Sequence, residues 1–355
     1  MNMKKWLSDL IVSPVKKPMP VLSFPSVQLL GITVRELISS SDYQSRGMKA
    51  IADRTDAAAA LSMMDLSIEA EAFGSSIRIS DDEIPTVIGH IVGNSTQASD
   101  LQIPRVGNGR TGIYIDAISK AKRMINDRPV FAGVIGPFSL AGRLLDVSEA
   151  MVYCYDEPET VHIILEKATS FIIEYISAYK GAGANGVVIA EPLAGLLSPS
   201  FNEEFSAGYI KRITESVQDD SFIIIYHNCG GGTLKMIDAL SSIGASAYHF
   251  GNAIDIVEML EAFPSDKPIL GNLDPAGQFR NGTPASVREA TLELLGRCRN
   301  YPNYIISSGC DIPPMSDWDN IDSFFKAVSD FYSDMPRTRH ECRHSAAVPA
   351  WASAY

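Results

Sequence analysis

His227 and Cys229 stand two residues apart at the end of a strongly apolar run, FIIIYHNCGGG at 222–232. Successive side chains on a strand alternate faces, so an H-x-C pair directs imidazole and thiol to the same side, where one ion can bridge them. A pair this short also arises by chance, and His and Cys at a strand end serve packing as well as chemistry. Cys310 adds weight to the metal reading: it closes a later apolar run, in the glycine-flanked SSGCD. One neutral imidazole and two thiolates leave a zinc ion near zero net charge with one tetrahedral position open, the arrangement of a catalytic rather than a structural site.

Such a set needs strands whose ends meet. Eight short apolar runs can supply them: Pro20–Phe24, LSMMDLSI from Leu61, PVFAGVIG, GANGVVIAEP, FIIIYHN, SAYHFGNA, PILGNLDP and YIISSGC. Helical patterns alternate with them, at 44–60, 113–125, 158–181, 202–216, from Thr233, and at 254–262, 286–295 and 320–331. In the helix at 158–181 the apolar residues recur at helical spacing, and His162 beside that stripe reads as structural. Thr233 reads as the cap of the helix that follows the three glycines. The segment 75–102 reads as irregular or as a small hairpin insertion. Short buried strands alternating with amphipathic helices predict an α/β fold, a single (β/α)8 TIM barrel over 19–335. Residues 1–18 form an N-terminal extension, and 336–355 lack periodicity and read as a mobile C-terminal tail, with His340, Cys342 and His344 scattered in it.

Active sites of such barrels lie at the C-terminal ends of the strands. The residues closing the runs are Asp65, Glu69 and Glu71, then Glu191, then His227 and Cys229, then His249 and Asn252, then Asn272 and Asp274, then Cys310 and Asp311. Composition limits the partners. A formal charge of −12 without a Lys/Arg cluster argues against nucleic acid, whose phosphates are bound through grouped cations. Five widely spaced cysteines in a chain this long fit a reducing cytoplasm. Asp9, Lys16 and Lys17 break the N-terminal apolar run, so no signal peptide is expected, and no run approaches the ~20 apolar residues of a membrane span. A homodimer through an exposed barrel face is compatible with the sequence.

The sequence resembles the uroporphyrinogen decarboxylase superfamily through IGPFSLAGRL at 135–144, GANGVVIAEPLAGLLSP, GNLDP at 271–275 and SSGCDIPP at 307–314. Within it, YHNCG followed by SSGC is similar to the H-x-C…C zinc signature of the methylcobalamin:coenzyme M methyltransferases. That resemblance implies zinc held by His227, Cys229 and Cys310, a methylated corrinoid protein as donor and partner, and a small thiol acceptor, coenzyme M or similar. Its chemistry is attack of a zinc-activated thiolate on the corrinoid-bound methyl. The decarboxylases carry an arginine-rich motif near the N-terminus for substrate carboxylates; here the corresponding strand reads VLSFPSVQLLG, without arginine. The alternatives are a decarboxylase-like lyase without metal and a non-catalytic corrinoid-binding relative. Cobalamin-independent methionine synthase has a similar set plus a Glu ligand whose position falls near Gly251, so the fourth ligand here is water, His249 or Glu191. Glu191 and His249 are the candidate catalytic residues; Asp65, Asn272 and Asp274 are the candidate substrate-binding ones.

Overall fold

Apolar runs too short for helices become parallel strands when helices cover one face and the strands' own inner side chains fill the other. The computed structural model describes residues 1–334, so the tail expected at 336–355 lies outside the described residues. The strands are β1 (Ala60–Leu61), the hairpin β2 (Ser76–Arg78) and β3 (Thr86–Ile88), then β4 (Val130–Ile135), β5 (Gly186–Ala190), β6 (Ile223–Asn228), β7 (Ala247–Phe250), β8 (Ile269–Leu273) and β9 (Tyr304–Ser308). All but the antiparallel hairpin form one parallel sheet in the order β1-β4-β5-β6-β7-β8-β9. Every residue of these seven strands is buried.

The eighth position is filled, but not by a regular strand. Met19 N–H donates to the Ile306 carbonyl (2.9 Å), Val21 N–H to Ser308 Oγ (3.0 Å), and Ala58 N–H to the Pro18 carbonyl (2.8 Å). The segment thus joins β9 to the approach of β1 and closes the barrel. Residues 20–24, expected as the first strand, lack a ladder because Pro18, Pro20 and Pro25 have no N–H to give it. The helix expected at 44–60 is Ser41–Arg54. Ala57–Ala60 have helix-forming side chains, yet Ala58 and Ala60 spend their N–H groups on Pro18 and Pro129, and this tertiary pairing overrides local propensity. Thr233 is no N-cap: its hydroxyl donates to the Gly230 carbonyl (2.5 Å), and a 3-10 turn at Thr233–Met236 precedes the helix Ile237–Ser242. The helix Pro158–Gly181 buries its expected stripe. His162 on it stacks on Phe205, with ring centroids 4.8 Å apart, and its Nδ1 is 2.8 Å from the Tyr209 hydroxyl.

Strand alternation separates two cores. Phe131, Val188, Ala190, Ile223, Ile225, Ala247, Leu270 and Ile305 point into the barrel. Their neighbours Ala132, Val187, Ile189, Ile224, Tyr226 and Tyr248 pack under the helices. The N-terminal extension seals the interior from below. Helix α1 (Met3–Val12), capped by the Asn2 side chain accepting from Lys5 N–H (2.8 Å), packs Met3, Trp6, Leu7 and Leu10 against the inner layer. Met3 N–H donates to the Asp220 carbonyl ahead of β6 (2.7 Å), and Lys16 Nζ reaches the Pro302 carbonyl ahead of β9 (2.8 Å). Both contacts lie at the N-terminal ends of the strands. Among the described residues no helix is long and apolar enough to cross a membrane.

Candidate metal centre

The inward register of β6 runs Ile223, Ile225, His227 and continues past the strand to Cys229, so the apolar interior ends in an imidazole and a thiol. Cys310 lies two residues past β9, at the same end. One donor atom from each of His227, Cys229 and Cys310 lies within 4.8 Å of the others; His227 is buried and the two thiols are half-buried. Cys310 Sγ is 3.6 Å from His227 Nε2. A hydrogen bond from Cys310, with a lesser one from His227, holds the Cys229 thiol well below its ordinary range, while the same pairing and burial push Cys310 up. Thiols bind a metal as thiolates, so binding here would release the protons that the pair holds.

The imidazole is turned by residues behind it. Ser307 Oγ is 2.7 Å from the Met19 carbonyl, which can only accept, so the hydroxyl hydrogen goes there. Ser307 Oγ then accepts from His249 Nε2–H at 2.8 Å. Burial, followed by His227, keeps His249 far below the usual imidazole range and so neutral. Its Nδ1 lone pair accepts from His227 Nδ1–H at 2.7 Å. These directions leave a lone pair on His227 Nε2, on the side of the thiols, as a metal ligand requires. His249 is therefore not among the three converging residues but directly behind one of them. Gly251, near which the glutamate ligand of the methionine synthases falls, admits no side chain: a Cβ there would sit 2.5 Å from Cys229 Cβ. Gly230 is equally constrained, since its Cβ would meet Gly195 Cα at 2.5 Å where two loops touch.

A cavity of about 250 Å³ lies over the site, its wall mostly apolar (Val21, Met64, Leu66, Ile84, Val87) with Arg143 and Asp311 among the lining residues. The other expected residues sit elsewhere. Glu191 follows Val187 and Ile189 in the outward register, so it faces the helices. Its oxygens accept from Phe138 N–H (2.7 Å) and Ser139 N–H (2.8 Å) at the start of the helix Pro137–Leu145, and burial raises its pKa to about 7 against these bonds. Both carboxylate oxygens accept from that helix terminus. Asp65 is fully buried beneath Arg110, which pairs with it, and accepts from Tyr114 Oη (2.7 Å) and Ser67 Oγ (2.5 Å). Asn272 donates to the carbonyls of Gly251 (3.0 Å) and Ile254 (2.9 Å), pinning the loop after β7. Asp274 accepts from Ala276 and Gly277 N–H (2.9 Å each), capping the turn after β8. The polar atoms of all three are engaged with backbone or neighbouring side chains. Sequence reasoning missed Ser307 and Arg143. The parity of β9 could have found Ser307; Arg143 stood in IGPFSLAGRL without a spacing that singles it out.

The chain is 27% identical over 271 residues to the methylcobamide:CoM methyltransferase MtbA of Methanosarcina acetivorans, covering 75% of this chain and 78% of that protein. It is also 27% identical over 242 residues to the uroporphyrinogen decarboxylase of Dichelobacter nodosus, covering 66% and 68%. Among solved structures, a methyltransferase from Methanosarcina mazei superposes with a TM-score of 0.81 at 22% identity, over 92% of this chain and 97% of that one. A B12-independent methionine synthase from Shewanella sp. W3-18-1 gives 0.63 at 12% identity, over 90% and 96%. These superpositions share the barrel. A family model described as uroporphyrinogen decarboxylase (URO-D) matches residues 14–331, and the chain belongs to that family.

Proposed function

We propose that this protein is a zinc-dependent methyltransferase that moves a methyl group from a methylated corrinoid, carried by a partner protein, to a small thiol, coenzyme M or a related compound. The observation that carries the reading is the convergence of His227, Cys229 and Cys310 on one point beneath a cavity at the C-terminal end of the barrel. The similarity to the MtbA proteins, named for methylcobamide and CoM, supports the same chemistry.

The donor set fits zinc: one imidazole with a free Nε2 lone pair and two thiols, one already acidified, with no fourth side chain at Gly251. When bound, such an ion supplies Lewis acidity that keeps an incoming thiol deprotonated near neutral pH. His227, Cys229 and Cys310 would hold it, and His249 with Ser307 would orient the imidazole. The cavity wall around the acceptor's sulfur is mostly apolar. That sulfur forms the new bond to the methyl carbon as the cobalt–carbon bond breaks, its electron pair staying on cobalt; the acceptor's thiol proton is lost to solvent. The decarboxylase reading has less support, because Asp65 is engaged by Arg110, Tyr114 and Ser67, and Arg143 is the one cation among the cavity's lining residues.

The test is metal analysis joined to a methylcobalamin assay. Purified protein is expected to carry about one zinc per chain and to demethylate methylcobalamin when given a thiol, and Cys310→Ala to lose both properties. Retention of zinc and activity in Cys310→Ala would overturn the assignment.

A further inference from the structure

Arg143 is out of place as a structural residue. It sits in the last turn of the helix Pro137–Leu145 and lines the same cavity as His227, Cys229 and Cys310. Among the described residues its guanidinium makes no hydrogen bond or ion pair, and its Nε is buried without a partner. The other inward cations are all engaged: Arg110 by Asp65 and Glu71, Arg128 by Asp127 and two carbonyls, Lys16 by three carbonyls. Burial acts alone on Arg143, with no carboxylate near enough to offset it, in a chain whose formal charge is −12. Burying an unpaired cation is costly, and a fold rich in acids could have neutralised it. A guanidinium kept free at the wall of an apolar cavity is matched to an oxyanion, which its planar donor fork binds in bidentate fashion.

We infer that Arg143 selects the acceptor by pairing with an anionic group, a sulfonate, carboxylate or phosphate, borne at the end of a small thiol remote from its sulfur. The inference rests on the reading above that a thiol occupies this cavity. The thiol end meets the metal site at the floor and the anionic end meets Arg143 on the wall. A neutral thiol of equal size leaves the guanidinium unpaired, which is how a buried polar group discriminates against an analogue lacking its partner.

The experiment uses the full-length protein with methylcobalamin as donor and compares 2-mercaptoethanesulfonate, 3-mercaptopropionate and 2-mercaptoethyl phosphate with neutral 2-mercaptoethanol, for the wild type, Arg143→Gln and Arg143→Lys. In the wild type, kcat/KM for the best anionic thiol is expected to exceed that for mercaptoethanol by about tenfold or more, mostly through KM. Arg143→Gln brings the two within about threefold, and Arg143→Lys restores most of the preference. Equal use of charged and neutral thiols by the wild type, or a preference that survives Arg143→Gln, overturns the inference. A second arm needs neither turnover nor a variant: calorimetric binding of ethanesulfonate, propionate and inorganic phosphate, which lack the thiol, to the wild-type protein, with Arg143→Gln as the control. If no thiol is methylated, the methyl-transfer reading falls and this arm decides alone. Wild-type binding that Arg143→Gln abolishes supports the anion site, and absence of binding for all three anions overturns it.

Discussion

His249 donates to Ser307, accepts from His227 and never needs to touch a ligand to matter. Replacing it removes the nearer acceptor of His227 Nδ1 and leaves only the His249 backbone carbonyl at 3.3 Å, so His249→Ala is expected to weaken zinc binding by about 10–100-fold in a chelator competition. Unchanged affinity would show that the ring is held by packing alone. The three converging residues were legible because alternation along a strand places His227 and Cys229 on one side, and Cys310 ends its own run. Glu191 closes its run as well, but closing position and parity are separate signals. Val187, Ile189 and Glu191 share the register that faces the helices. Ser307 needs contact between β7 and β9, strands that are not neighbours in the sheet, and that is a property of the closed barrel rather than of any local pattern.

Glu191 serves the start of the helix Pro137–Leu145 through both carboxylate oxygens. Glu191→Ala strips the acceptor from two buried N–H groups and is expected to lower stability by about 1–3 kcal/mol in urea denaturation, with zinc content unchanged. Lost zinc with intact stability would assign it to the metal site. Glu69, on the short helix Ile68–Ala72, accepts from Ile135 N–H (3.0 Å) and is pushed by burial to about 8. Its native state holds a proton that the unfolded chain releases near the ordinary carboxyl value. Its contribution to stability is therefore full below about 4.5 and is lost as pH rises through about 8. Glu69→Gln keeps an acceptor for Ile135 and removes the ionisation. Urea denaturation of this variant between pH 6 and 9 is expected to show a flatter decline than the wild type, by an amount on the order of a few kcal/mol. Parallel slopes for the two proteins would refute that reading. Elements as such were well marked in the sequence, since strands buried on both faces read as continuous apolar runs. Boundaries failed where distant partners decided them, as at Ala57–Ala60 and at the proline-interrupted segment beside β9.

At the scale of the whole molecule, the barrel order follows from the alternation of runs and helices, whereas the plug at its base was missed. Met3, Trp6, Leu7 and Leu10 follow helical spacing, but in sequence the stretch reads only as an extension. Met3 is fully buried beneath the inner layer, so Met3→Ala is expected to cost about 2–5 kcal/mol, measured by denaturation. A change near zero would mean that α1 rests on the barrel without sealing it. The seal has a kinetic consequence. With α1 packed against the lower end, the cavity over His227, Cys229 and Cys310 lies at the opposite, C-terminal face of the barrel, where under the proposed function the corrinoid-bearing partner docks. Under the proposed function both substrates share one entrance, so the small acceptor enters first and the methylated product leaves only after the donor has withdrawn. Initial-rate and product-inhibition studies should accordingly return a compulsory-order, sequential pattern with the thiol leading; a random pattern would require a second route into the barrel, and a ping-pong pattern a methylated-enzyme intermediate.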